Sequence, residues 1–391
     1  MTRTVAPTAA LLAAVAALVG VRAEPAAAQK AKTHAEEVDA FFAKGEPVSI
    51  ALEVGQKEAD SLRRDPRKYV AVSVKENNQT FKNVAVHLRG SAGSFRGFDD
   101  RPGFTLNMDK FADGQRWRGL DKFHLANSAQ DPSYLSELLC GELMRAVGVP
   151  AARIGHAAVT MNGRKLGFYY LKEGYDKDFL KKHFKNNHGN FYDGGFLQDI
   201  DRPLQLVSGE GDVKDRGDLK ALIAAAREND HKRRIEQLSR VLDLDQFISY
   251  MVMSAIMLDW DGYPFKANNY RIYHDPERNK LVFIPSGMDQ MFGEPNGPAL
   301  PGFGGFVARQ IIETTEGRRR YWARMREVMR TVFEPARWVK RLDEAEAKIR
   351  PAVAAVDPGA ANGLKGQVDR LRDGIRQRHR HITAELMRVK E

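Results

Sequence analysis

Apolar and polar residues alternate with period two over the early part of the chain. Val48-Ser49-Ile50-Ala51-Leu52-Glu53-Val54, Val70 to Val74, Val84-Ala85-Val86-His87-Leu88 and Phe104-Thr105-Leu106-Asn107-Met108 each read as a strand. Asn77-Asn78 marks a turn between two of them. From Asp131 to Val147 the period lengthens to that of a helix, with Leu135, Leu138, Leu139 and Leu143 on one face. Asp131 suits the N-cap, Pro132 the first helical position and Gly148 the stop. A hairpin follows, His156 to Thr160 and Leu166 to Leu171, joined through Asn162-Gly163. After Glu173 the pattern is helical over 176–184, 217–240, 243–257 and 321–389. Two stretches interrupt it: a second hairpin, Tyr270 to Tyr273 with Leu281 to Ile284, and a Gly/Pro-rich loop from Gly293 to Gly305. A strand-rich part therefore gives way to a helix-rich part near Gly174.

Composition narrows the class. The 391 residues allow one large two-lobed domain or two to three small ones. With 43% hydrophobic and 29% charged residues, the chain reads as soluble and globular. A formal charge of +10 fits an anionic partner, whether nucleotide phosphates, an acidic protein or an anionic surface, and equally a solvated basic face made of short scattered clusters such as Arg318 to Arg320. Nucleic acid is set aside, because the basic residues match no recognition motif and the export segment argues against it. At the start, Arg3 precedes an apolar run, Ala9 to Val21, that is short for a membrane span, and Val21-Arg22-Ala23 and Ala26-Ala27-Ala28 suit cleavage. Residues 1–28 read as a removable export signal, with an uncleaved anchor as the alternative and no transmembrane span left after cleavage. The single cysteine, Cys140, sits in the apolar helix and reads as a buried structural thiol. The chain has no CxxC, HExxH or EF-hand spacing to support a zinc or structural calcium site.

Candidate chemistry concentrates between Leu258 and Phe292. Asp259, Asp261, Asn268-Asn269 and Asp289 flank the second hairpin, whose strands bring Asp261 and Asp289 toward one end. In phosphoryl transfer one Asp accepts the proton of the attacking hydroxyl, while an Asn and a second Asp hold a divalent ion, Mg²⁺ or Mn²⁺ by ligand type. Turn capping would use the same residues. A second group, His87-Leu88-Arg89-Gly90-Ser91-Ala92-Gly93-Ser94-Phe95-Arg96, follows a strand and could cradle phosphates, although it is no Walker A loop and also fits a polar turn. A third is Glu137, on the helix, where an acid can hold a strand cation against nucleotide phosphates. The Gly293 to Gly305 loop could act as a mobile substrate-positioning segment.

Several of these segments, in order, resemble the CotH kinase family (spore coat protein H-like). They are Val86-His87-Leu88-Arg89-Gly90-Ser91, the helix from Asp131-Pro132-Ser133 to Val147-Gly148, Val159-Thr160-Met161-Asn162-Gly163 with Leu166-Gly167-Phe168-Tyr169, and Leu171-Lys172-Glu173. Trp260-Asp261-Gly262-Tyr263, Asn268-Asn269-Tyr270 and Phe283-Ile284-Pro285 with Met288-Asp289 complete the series. The resemblance implies an α+β, protein-kinase-like two-lobed fold, with a strand-rich N-lobe carrying one main helix and a helix-rich C-lobe. It would divide the chain into an N-terminal segment (29–44), an N-lobe (45–174), a C-lobe (175–335) and a C-terminal helical extension (336–391). The implied activity is transfer of the ATP γ-phosphoryl group to Ser or Thr of a protein substrate, one with acidic character fitting the basic surface, in the periplasm, at the cell surface or in the medium. Asp261 would be the base. Asp289 with Asn268 or Asn269 would hold metal, and Arg89, Gly90, Ser91, Arg101, Glu137 and Glu173 would bind ATP. Two positions depart from the family pattern: Arg101-Pro102-Gly103 stands where a Lys pair is common, and Pro285-Ser286-Gly287-Met288-Asp289 lacks the pattern's Trp and first acid. A catalytically inactive cell-envelope binding or assembly protein is the alternative implied by those departures.

Overall fold

The computed structural model describes residues 1–2, 32–209 and 215–389, so the segment read as an export signal lies outside the described residues apart from its first two. The chain divides into units 1–32 and 33–391, and every described helix and strand belongs to the second. The second unit opens with α1 (His34–Lys44), started by a capping box in which Thr33 accepts from Glu36 N and Glu36 returns a carboxylate to Thr33 N. There follow β1 (Val48–Glu53), α2 (Gln56–Arg64), β2 (Val70–Glu76), β3 (Gln79–Arg89), β4 (Gly103–Asn107), β5 (Lys122–Ala126), α3 (Ser136–Ala146), β6 (Ile154–Met161) and β7 (Arg164–Glu173). The seven strands close into a barrel in the order β1-β2-β3-β4-β5-β7-β6.

One long-range pairing makes the closure. β1 runs parallel to β6, from Val48 opposite Ala157 to Leu52 opposite Met161. Asn162 extends the join: its N–H donates to Leu52 O at 2.9 Å, and its side-chain amide bonds the N–H and the C=O of Val54, each at 2.8 Å. Asn162 and Gly163 both have positive φ (50° and 77°), as a two-residue hairpin turn with this twist requires. Side chains such as Leu52, Val86, Leu106, Phe123 and Leu171 fill the interior, so the barrel holds a packed core and no lumen.

The remaining elements are α4 (Lys177–His183), β8 (Phe191–Asp193), β9 (Gln205–Ser208), α5 (Gly217–Ala226), α6 (His231–Val241), α7 (Leu244–Met257), α8 (Tyr263–Lys266), β10 (Tyr270–Asp275), β11 (Lys280–Pro285), α9 (Phe306–Ile312), α10 (Thr315–Thr331), α11 (Pro335–Val356) and α12 (Pro358–Leu386). Strands β11-β10-β8-β9 form a second sheet. Helix α7 is buried on nearly every side, the position its almost wholly apolar sequence demands. It shares one core with α3, α10, α11 and α12. Cys140 is fully buried there, and burial pushes its thiol well above the usual range.

This architecture overturns the expected two-lobed kinase-like fold. Helices and strands are mixed as expected, but the early strands form a closed barrel, and the range expected to carry one main helix (45–174) carries two, α2 and α3, among the described residues. Alternation identifies strands without saying which distant partner each will take, and the β1–β6 pairing spans about a hundred residues of sequence. Helix α3 also starts later than expected. The Asp131 carboxylate accepts from Ser133 N (3.1 Å) and Ser136 N (2.9 Å), and Tyr134 is left-handed (φ 62°), so the first residues form a turn. The expected helix over 217–240 breaks where Asp230 caps α6, and that over 321–389 is three helices. No helix among the described residues is long and apolar enough to cross a membrane.

The C-terminal helices are built into the core through one buried cation. Arg378 of α12 donates to the carbonyls of Ala255 (2.8 Å) and Ile256 (3.3 Å) at the end of α7, and to those of Pro295 (3.2 Å), Pro298 (3.2 Å) and Gly297. Glu385 accepts from Ala299 N at 2.6 Å. Burial pulls the Arg378 guanidinium down to about 10. Arg378→Met takes the donor from the buried carbonyls of Ala255 and Ile256 and should lower stability by ~3 kcal/mol or more in urea denaturation. Arg376→Met, at an exposed position on the same helix, should change it by less than ~0.5 kcal/mol.

Candidate functional site

The barrel's outer face carries polar residues. Across four strands His87 faces Thr105, Thr105 faces His124, and His124 faces Lys172. A cavity of about 690 Å³ lies between this face and a wall made by β8, β10 and the segments 260–269 and 286–291. Arg67, Arg89, Lys122, Lys172 and Arg271 line it, opposed by Glu137, Asp193, Asp261 and Asp289. Gly103 leaves room for Arg89, since a Cβ there would meet Arg89 Cγ at 3.0 Å. His124 Nδ1 lies 3.0 Å from Thr105 Oγ1. Burial, together with Arg89, Lys122, Lys172 and Arg271, holds its pKa well below the usual value, so the imidazole is neutral.

Lys172 and Glu137 form an ion pair at 3.1 Å, each with 2% of its side chain exposed. The pair also binds the 286–289 loop: Lys172 Nζ donates to Ser286 O at 2.7 Å, and Met288 N donates to Glu137 Oε1 at 2.9 Å. It thereby joins β7, α3 and the segment that carries Asp289. Asp289 is raised to about 7, by burial first and then by Glu137 and Asp131, with Lys172 pulling the other way. Behind the cavity Asp259 is fully buried and raised to about 8, by burial and then by Asp261 and Glu137. Its Oδ1 has no hydrogen-bond partner.

Asp261, Asn268 and Asn269 come together. Asp261 Oδ2 accepts from Asn268 Nδ2 (3.1 Å) and Asn269 Nδ2 (2.8 Å). Asn268 Oδ1 is taken by Leu197 N at 3.2 Å. The two asparagines thus address the carboxylate of Asp261. A Cβ at Gly287 would lie 2.9 Å from Asn269 Cγ, so the asparagine occupies the room an acid at that position would need.

The other anticipated residues divide. Arg89, Gly90, Ser91, Glu137 and Asp289 line the cavity together with Asp261, Asn268 and Asn269. Within the Arg89-Gly90-Ser91 turn, Ser91 N donates to Ser94 Oγ, and Ser94 N and Phe95 N to Ser91 O, so these donors are spent inside the loop. Arg101 and Glu173 lie outside the cavity lining. Arg101 donates to Phe168 O and lies over the Tyr169 ring, while Glu173 accepts from Arg153 N (3.0 Å) and from its guanidinium Nε (2.9 Å). The cation beside Glu137 is Lys172, which residue reasoning missed. Its one sequence signal is a lysine at the end of a strand whose other residues are nearly all apolar from Leu166 on.

Could these groups hold a divalent ion? Among the described residues no three His, Cys, Asp or Glu side chains converge to do so. Yet Asp259 and Asp289 are both raised with neighbouring acids among the causes, and the orphaned Asp259 Oδ1 adds to an excess of acceptors that a nearby cation would relieve. The set fits an ion held by one or two protein oxygens, Asp289 first, completed by phosphate oxygens and water as Mg²⁺ commonly is. It does not fit an all-protein cage.

The fold and site define a mixed α/β protein with a buried Lys–Glu pair beside a carboxylate-lined cationic cavity. A family model described as CotH kinase protein matches residues 86–382, well over half of the chain, and the chain belongs to that family. Relatives from Rhizopus delemar include Invasin CotH7, 24% identical over 230 residues (56% of this chain, 38% of the relative), and Spore coat protein homolog 1, 22% identical over 266 residues (58% and 42%). Invasin CotH3 is 25% identical over 189 residues (44% and 31%). The chain thus spans about two-fifths or less of the length of the curated relatives it matches.

Two outcomes follow from the buried charges. Lys172→Met strands Glu137 and should cost roughly 3–5 kcal/mol in chemical denaturation, whereas Lys172→Met with Glu137→Gln should recover at least half of that loss. For Asp259 the folded pKa, about 8, lies above the unfolded value, so the folded state keeps a proton that the unfolded state has lost. Its contribution to stability is full at acid pH and falls as pH rises toward 8. The melting temperature of Asp259→Asn relative to wild type should therefore climb with pH, from near zero around pH 4 to ~2 °C or more at pH 8.

Proposed function

We propose that this protein is an exported phosphotransferase that moves the γ-phosphoryl group of ATP onto a Ser or Thr hydroxyl of a protein, with Mg²⁺ or Mn²⁺ as its metal. The observation that carries this reading is the opposition of charge in one cavity: five cations suited to a polyphosphate, with Asp261 and Asp289 among them. A divalent ion bound at Asp289 would supply neutralisation of the charge on the transferring group. Asp261 accepts the proton of the attacking hydroxyl, its carboxylate oriented by the Asn268 and Asn269 amides. The Lys172 ammonium, fixed by Glu137 and Ser286 O, presents its charge to the phosphates. Arg89 can bind them through two parallel N–H donors. Export is supported by the 1–28 segment and by the words invasin and spore coat protein in the relatives' names.

A second reading, a non-catalytic cell-envelope binding or assembly protein, draws on two observations. Glycine stands at 287, where the family pattern has an acid, and Phe196, Val207 and Trp260 are exposed at the cavity lining, an apolar surface that a partner could cover.

Thermal melts and phosphate transfer separate the two. On the first reading, ATP with Mg²⁺ raises the melting temperature by mass action. Asp289→Asn should remove the Mg²⁺-dependent part of the shift. Asp261→Asn should keep the shift and slow transfer at least ~100-fold. No shift and no transfer in the wild type, or variants that match it in both, would favour the second reading.

A further inference from the structure

A second cavity, of about 780 Å³, lies beside the first and shares Gln130, Trp260, Asp289, Gln290 and Met291 with it. The two spaces therefore meet at the edge that carries Asp289 and Trp260. Their charge differs. The first has five cations. The second has one, Arg370 of α12, set against Asp131, Asp289 and Glu294. Much of its remaining surface is apolar, including Leu258, Phe265, Pro298 and Leu371. A polyphosphate is attracted to the first cavity and repelled from the second. An uncharged, partly apolar chain suits the second.

The second cavity is also preformed. Its Gly/Pro-rich wall is the loop that Arg378 and Glu385 hold against α12. Trp260, 43% exposed, stands where the cavities meet, with Lys266 Nζ 4.3 Å from its ring centre. Its neighbour in sequence, Asp261, faces the first cavity.

We propose that the second cavity is the acceptor subsite. It takes an extended protein segment, with apolar residues flanking the Ser or Thr, and delivers the hydroxyl to the Trp260–Asp289 edge. This rests on the phosphotransfer reading and deepens it. In the step, the hydroxyl oxygen bonds to the γ-phosphorus as the bond from that phosphorus to the bridging β–γ oxygen breaks. The hydroxyl proton passes to Asp261, and ADP leaves with the bridging oxygen. The cavity selects against acidic flanks, because its largely apolar lining offers them a single cation, Arg370, with Glu294 in the same lining.

The test fills the cavity and leaves the first one alone. A Cβ on Gly293 meets nothing within 4 Å, so the backbone there accepts a side chain, and Gly293→Trp adds bulk to the lining. Gln367→Trp, on α12, is an independent second variant. The probe is a fluorescent library of short peptides with one central Ser and systematically varied flanks, with Ser→Ala copies for binding by anisotropy. Both variants should keep the wild-type thermal shift with ATP and Mg²⁺, weaken binding and raise KM for the preferred peptide at least ~10-fold, and change kcat by less than ~3-fold. The wild type should prefer Leu or Phe over Asp or Glu beside the Ser. The inference is overturned if the wild type binds nucleotide yet neither binds nor phosphorylates any peptide, if KM is unchanged in both variants, or if acidic flanks are preferred. Absence of any nucleotide shift in the wild type overturns the phosphotransfer reading itself, and the acceptor role with it.

Discussion

The site depends on one buried ion pair. Lys172 comes from the barrel, Glu137 from the helix that packs on the other core, and both bind the backbone of the loop leading to Asp289. Withdrawing two charges from water is costly, and a pair so deeply buried is weak grounds for claiming stability. Its effect is on position. It sets strand, helix and loop in one arrangement at the lining of the cavity. Because Glu137 is among the causes that raise Asp289 and Asp259, the same pair also sets the electrostatics of the acids around it.

The barrel serves as a wall. Its interior is packed with apolar side chains, so chemistry moves to the outer face, where successive strands place His87, Thr105, His124 and Lys172 in one row. A sheet face can do this only where another layer covers it. Here β8, β10 and the loops around Asp261 and Asp289 supply that layer, and the space between becomes the cavity. Helix α12, through Arg378, fixes the Gly/Pro-rich loop that walls the neighbouring cavity, which makes the C-terminal helices part of the architecture beside the site.

What the sequence disclosed follows how local each feature is. Asp261, Asn268 and Asn269 lie within a few residues, and their mutual hydrogen bonds grow out of a turn that could be read directly. The Asn162-Gly163 turn and the hairpin of β10 and β11 were legible for the same reason. Lys172 was not. Strand β7 is buried on both faces, Tyr169 and Leu171 toward the barrel interior and Phe168 and Tyr170 toward the helices, so alternation vanishes just where the lysine sits. Arg101 stood closer to an expected strand start and drew the assignment, whereas the fold turns its guanidinium to Phe168 O. Barrel closure was illegible because periodicity says nothing about which distant strands will pair.

The most direct test of the account is a crystal structure with a non-hydrolysable ATP analogue and Mn²⁺, the ion located by its anomalous signal. The account predicts Mn²⁺ within coordination distance of the Asp289 carboxylate, and phosphates against Lys172 and Arg89 with the Lys172–Glu137 pair intact. Nucleotide bound elsewhere, or a bound nucleotide whose phosphates and metal avoid both Lys172 and Asp289, would contradict it.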